Sequence, residues 1–150
     1  MAQSLSKIYL HIIFSTKNRC PWIVEKIQSE LYAYMATVLK SWDSPAIIIG
    51  GMPDHIHLLL LFSKNYSVSK VIEQAKKRTS KWIKTKGKEF ENFYWQNGYG
   101  AFSVSQSQLD TVRDYIANQK EHHKHLSFKD EYRSFLKKYE IPYDERYIWD

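Results

Sequence analysis

The stretch His55-Ile56-His57-Leu58-Leu59-Leu60-Leu61-Phe62 constrains the fold of this chain more than any other. It reads as a β-strand, and its continuous apolar end, Leu58–Phe62, predicts burial on both faces. Side chains alternate along a strand, so His55 and His57 leave it on the same side, with Ile56 opposite.

The flanking patterns supply the rest of the architecture. Ile8–Phe14, rich in β-branched and aromatic residues, predicts a first strand. Val24, Ile27, Leu31, Tyr34, Met35, Val38 and Leu39 fall at helical spacing, and Asp43-Ser44-Pro45 stops that helix. Ala46–Ile49 predicts a strand, with Gly50-Gly51-Met52-Pro53-Asp54 as the turn into His55–Phe62. A second long helix is expected from Asn65 or Ser67 to about Lys86, its apolar stripe running through Val68, Val71, Ile72, Ala75, Thr79, Trp82 and Ile83. Tyr99–Ser105 predicts a fourth strand; helices are expected at about 108–124 and 129–139, then an extended tail to Asp150. Strand, helix, strand, strand, helix, strand is a repeated split β-α-β unit. The expected class is α+β, a ferredoxin-like antiparallel sheet with helices on one face and the other face free for a site. The C-terminal helix and tail, about 129–150, are appended to a single domain spanning 1–150.

A chain of 150 residues suits one domain with one core. The single cysteine, Cys20, excludes an intramolecular disulfide and a Cys-rich zinc site. No segment approaches the ~20 apolar residues of a membrane span. The start of the chain shows no signal-peptide pattern, so the expected location is cytoplasmic. Net charge is +6, and it is concentrated: nine basic residues stand against one acid between Lys64 and Lys88. Lys70, Lys77, Lys81 and Lys84 recur at helical spacing as a ridge that can neutralise phosphates. Inert surfaces tend to mix both signs, so a polyanion partner is expected.

Two constellations can carry chemistry. Taken alone, His55 and His57 are either half of a metal site or two half-exposed histidines with no task. Tyr115 and Gln119, at i and i+4, place a phenol and an amide on one helical face; the same spacing also suits a packing tyrosine beside a solvated glutamine. His122, His123 and His125 form a further cluster to which no site is assigned.

Together these features resemble the single-tyrosine HUH transposases of the smallest bacterial insertion sequences and the related REP-associated tyrosine transposases. Gly51-Met52-Pro53-Asp54-His55-Ile56-His57-Leu58 resembles the family's His-hydrophobic-His strand with its turn. Tyr115-Ile116-Ala117-Asn118-Gln119 resembles its catalytic helix, and Trp95–Ser105 the segment leading into that helix. Tyr143-Asp144-Glu145-Arg146-Tyr147-Ile148-Trp149 resembles the tail of the REP-associated branch. The resemblance implies a homodimer, in which the tyrosine helix of one subunit can complete the histidine site of the other. It also implies a divalent metal, Mg²⁺ or Mn²⁺, held by His55, His57 and Gln119. Tyr115 would attack a phosphodiester of single-stranded DNA near a hairpin, giving a covalent 5′-phosphotyrosine and a free 3′-OH. Lys76, Lys77, Arg78, Lys81 and Lys84 are the expected DNA-binding residues, with Trp95 and Tyr99 as stacking surfaces. Two rivals stand beside this reading. One is a metal-dependent phosphodiester hydrolase using His55, His57 and a histidine from 122–125; the other is a non-catalytic nucleic-acid-binding module.

Overall fold

A computed structural model describes residues 2–150. Its centre is a four-stranded sheet of β1 (Ile8–Ser15), β2 (Ala46–Met52), β3 (His55–Phe62) and β4 (Gly100–Val104), in the order β2-β3-β1-β4. Every neighbouring pair is antiparallel. This is the expected ferredoxin-like arrangement, with β3 and β1 in the middle. Helix α1 (Glu25–Ser41) and helix α2 (Val68–Lys84) cover one face. Ser67 caps α2, its hydroxyl accepting from the Lys70 N–H.

Alternation along the strands sorts the side chains between two cores. Ile12 and Phe14 of β1, with Ile56, Leu58 and Leu60 of β3, point at Leu31, Met35 and Leu39 of α1 and at Val71, Ile72 and Ala75 of α2. Each of these large side chains gains ~1.5–3 kcal/mol on leaving water. Leu59 points to the other face, so Leu58–Leu60 are buried on both sides as expected, while Leu61 and Phe62 at the strand end are half-buried.

The second face is not free. It is covered by α3 (Leu109–Ala117), α4 (Gln119–His122) and α5 (Phe128–Lys138). Ile116 packs with Tyr9, Leu59 and Val104, while Phe128, Tyr132 and Leu136 pack with Ile13 and Phe102. Two further expectations change. Strand β2 runs on through Met52, leaving only Pro53-Asp54 as the turn. Gly50 within it lets α3 approach, since a Cβ there would lie 2.6 Å from the Ile116 carbonyl oxygen.

The helix expected at about 108–124 is broken at Asn118, whose backbone (φ −104°, ψ 28°) leaves the helical region. The Asn118 amide donates back to the Asp114 carbonyl at 2.8 Å, a local bond that competes with helix continuation. The C-terminal tail folds back over the start of the sheet. Arg19 Nη1 donates to the Trp149 carbonyl (2.7 Å) and the Gly98 N–H to the Asp150 carbonyl (2.8 Å). The Trp149 ring lies against Phe128 and Tyr132, which fixes α5.

Candidate active site

His55 and His57 lie on a central strand beneath the C-terminal helices, and both are fully buried. They are therefore not the half-exposed pair that the strand end alone allows. Four side chains from the helices converge on them. Tyr115 comes from α3, Gln119 from the start of α4, His123 from just after it, and Glu131 from α5. Gln119 Oε1 is 3.0 Å from His55 Nε2. Glu131 Oε1 is 3.0 Å from His57 Nε2, 3.2 Å from His123 Nε2 and 3.5 Å from His55 Nε2. Its other oxygen accepts from the Tyr115 hydroxyl and from Gln119 Nε2. Glu131, with no solvent exposure, is the hub of the cluster.

Proton positions show what this cluster needs. Asp54 Oδ1 lies 2.7 Å from His55 Nδ1, so that nitrogen carries the proton and Nε2 presents a lone pair. The Leu126 carbonyl fixes His123 in the same tautomer. Two bare Nε2 atoms thus face the oxygens of Gln119 and Glu131, and acceptors face acceptors. An imidazolium or a cation between them resolves that conflict.

A divalent ion fits. Metal–ligand bonds of ~2.1 Å place neighbouring ligand atoms ~3.0 Å apart in an octahedron and ~3.4 Å apart in a tetrahedron. The separations of 3.0–3.5 Å among His55, His57, His123, Gln119 and Glu131 match such edges. His57 also has an orienting neighbour behind it, since its Nδ1 is 2.8 Å from Nε2 of the buried His11.

The local fields follow from burial and from the carboxylate. Burial disfavours charge on His11 and His57: His11 falls to about 3 and His57 also falls, partly offset by its bond to Glu131. Burial opposes a charge on His123 too, but the Glu131 bond and field outweigh it and raise this group. Burial alone would raise Glu131; the bonds from His123 and His57 reverse that and hold it ionised. The Tyr115 phenol is pushed up by burial and by the Glu131 charge. Its ring is held by stacking on His122, centroids 4.3 Å apart, and by the edge of Phe135.

The structure therefore brings Tyr115, His55, His57 and Gln119 together within one chain and adds His123 and Glu131. His123 belonged to the cluster left unassigned on sequence. The signal for Glu131 is an acid on the apolar stripe Phe128, Tyr132, Phe135 and Leu136 of an amphipathic helix.

The basic ridge lies on α2, across the sheet from the histidines. Lys77, Arg78 and Lys81 are exposed there, and the Lys84 ammonium sits 4.4 Å from the centre of the exposed Tyr94 ring. Lys76 differs. Its ammonium donates to the carbonyls of Gln96 (2.8 Å), Asn97 (3.2 Å) and Gly98 (2.6 Å), and burial lowers it to about 8. It clamps a loop. Trp95 is likewise a core residue, 6% exposed, with Nε1 donating to Thr79 Oγ1.

Comparison with known proteins bears on the family and the fold. A buried His-Ile-His pair faced by a helical tyrosine is the arrangement of an HUH-type nucleic-acid-processing site. The family model for IS200-like transposases matches residues 4–119, and the chain belongs to that family. It is a transposase of the HUH type. Among solved structures, it is similar to a Deinococcus radiodurans R1 protein described as a candidate transposase. That pair shares 20% identity at a TM-score of 0.61, covering 79% of this chain and 98% of the other. It is also similar to a REP-associated tyrosine transposase bound to a REP hairpin, at 14% identity and TM-score 0.60, covering 84% of this chain and 76% of that one. No curated protein matches the chain. The family match ends at Gln119, so His123 and Glu131 lie beyond it.

Proposed function

We propose that this transposase cuts and rejoins single-stranded DNA through a covalent 5′-phosphotyrosine on Tyr115. The observation that supports this best is the buried convergence of the Tyr115 hydroxyl with two Nε2 atoms of a His-x-His strand and the Gln119 amide oxygen. His55, His57 and Gln119 would hold the divalent ion, joined by His123 and Glu131. Three imidazoles suit Mn²⁺ better than Mg²⁺, which prefers oxygen ligands and water. When bound, such an ion polarises a phosphoryl group and orients it for in-line attack.

The chain's own residues do the rest. The Tyr115 oxygen forms the bond to phosphorus and the bond from phosphorus to the 3′ oxygen breaks. The 3′ oxygen leaves as a hydroxyl, taking up the proton that Tyr115 releases through Glu131, and the phosphodiester energy is kept in the tyrosyl ester for rejoining. The Tyr115 proton passes to Glu131 Oε2, which already accepts its hydrogen bond. His122 and Phe135 hold the ring in place. Lys77, Arg78, Lys81 and Lys84 would bind phosphates on the other side of the sheet, where a hairpin stem has room. Lys76 would support them by fixing the 96–98 loop. A homodimer is expected from the family resemblance, and the candidate residues converge within one chain. The place of work is the cytoplasm, and among the described residues no helix is long and apolar enough to cross a membrane.

One rival keeps a specific observation in its favour. His123 joins the cluster, as a water-using phosphodiester hydrolase would require. The deciding experiment incubates the protein with Mn²⁺ and single-stranded, hairpin-containing DNA from the flanks of its own gene, read on a denaturing gel. A 5′-linked protein–DNA adduct that disappears in Tyr115→Phe and in His55→Ala supports the transposase mechanism. Cleavage that survives Tyr115→Phe without an adduct establishes the hydrolase.

A further inference from the structure

Beside the phenol lies a cleft of about 680 Å³ between β4, α3 and α5. Its volume falls within the ~300–1,000 Å³ of small-molecule sites. Tyr115 and the buried His11 form its inner wall, so it is continuous with the site described above. His11, whose Nε2 is 2.8 Å from His57 Nδ1, links the cleft to the histidine pair. Val112 and the rings of Phe135 and Tyr139 provide apolar surface. Ser105 and Gln108 supply exposed donors and acceptors, and Lys138 is the only cation on the lining.

We propose that this cleft is a nucleotide subsite. It takes the base of one nucleotide next to the scissile phosphate, with Lys138 on the adjoining phosphate. This rests on the proposed reading of Tyr115 as the nucleophile and deepens it. An aromatic and aliphatic wall accepts the face of any base. Gln108 and Ser105 then have polar base edges to read, because an amide offers a donor and an acceptor side by side. A strand whose phosphate meets Tyr115 must place a neighbouring nucleotide within one sugar-phosphate step of the phenol. The cleft is where the chain leaves space of the right chemistry. The basic ridge of α2 cannot serve, because it lies across the sheet.

The test uses free mononucleotides, so it needs neither cleavage nor knowledge of the target sequence. The ¹⁵N-labelled full chain is titrated with each of the four deoxynucleoside 5′-monophosphates and, separately, with inorganic phosphate. Saturable shifts of the Ser105, Gln108 and Lys138 amides by at least one nucleotide, larger than any caused by phosphate, are expected. Thr111→Trp, which fills the cleft from an exposed position on α3, should weaken that binding at least tenfold while its spectrum shows an intact fold. Gln108→Ala should reduce the difference in affinity among the four bases. Shifts reproduced by phosphate alone, or unchanged by Thr111→Trp, would overturn the proposal. The two readings separate cleanly. An adduct on Tyr115 with no nucleotide in the cleft removes only the subsite. A nucleotide in the cleft without any adduct removes the tyrosine mechanism and leaves a nucleotide site.

Discussion

Replacing Glu131 by glutamine tests the feature that sequence motifs do not reveal. The substitution keeps the volume and removes one buried negative charge that faces three imidazoles and the phenol. At ~4 Å and an effective dielectric of ~20, a unit charge pair is worth ~4 kcal/mol, and a divalent ion doubles that to ~8 kcal/mol. The ion displaces the bonds from His57 and His123 that already stabilise this carboxylate in the metal-free protein, at ~1.5–3 kcal/mol each. The difference leaves ~3–4 kcal/mol. Divalent binding should therefore weaken roughly 100- to 1,000-fold at ~1.4 kcal/mol per tenfold. The assay is titration of Mn²⁺ into the metal-free protein, with the free-ion signal followed by electron paramagnetic resonance and the fold checked by circular dichroism. Gln119→Ala, which removes a neutral ligand, should cost less. A Glu131→Gln protein that is folded and binds Mn²⁺ within threefold of the parent would refute the reasoning. The carboxylate would then be a partner of the imidazoles alone.

Three further outcomes follow from the same contacts. The metal-free protein should lose stability as pH falls below about 6.5, because His11 and His57 are held below their unfolded values and take up protons on unfolding. Each such proton gives a slope of ~1.4 kcal/mol per pH unit. The depressed Glu131 adds its loss only at more acid pH, below its unfolded value, while the raised His123 loses its contribution above about 6.5. Denaturant unfolding that gives equal stability at pH 7 and pH 5 would contradict this. Gly50→Ala puts a Cβ 2.6 Å from the Ile116 carbonyl oxygen and should cost ~1–3 kcal/mol. At ~2–4 °C per kcal/mol the melting temperature should fall measurably, and an unchanged one would show that α3 moves away freely. Trp149→Ala removes the ring that packs on Phe128 and Tyr132, so faster hydrogen exchange is expected in α5. Unchanged protection there would show that the tail does not hold the helix.

Much of this was legible in the sequence. The ferredoxin-like class follows from the succession of strands and helices, the shared face of His55 and His57 from alternation, and the α1 and α2 stripes from periodicity. The placement of Tyr115 and Gln119 beside the histidines was legible only through resemblance, since spacing alone favoured a packing tyrosine. Burial of the site was not legible, because it depends on α3, α4 and α5 closing over a face that local pattern leaves open. Lys76 looked like its neighbours in a basic run. Its place at the border of the apolar stripe turned it inward onto three carbonyls. Glu131 was hidden for a related reason. Charge on a helix is normally read as surface, and only the second face of the sheet supplies its partners.

The interruption at Asn118 has a mechanical consequence. A continuous helix from Leu109 to His122 would carry the phenol and the Gln119 amide as one rigid rod, and any roll that withdrew one would drag the other. With a joint between them, the Tyr115 ring on α3 and the Gln119 amide on α4 are oriented separately, so a small roll of one helix need not lift the other's side chain from β3.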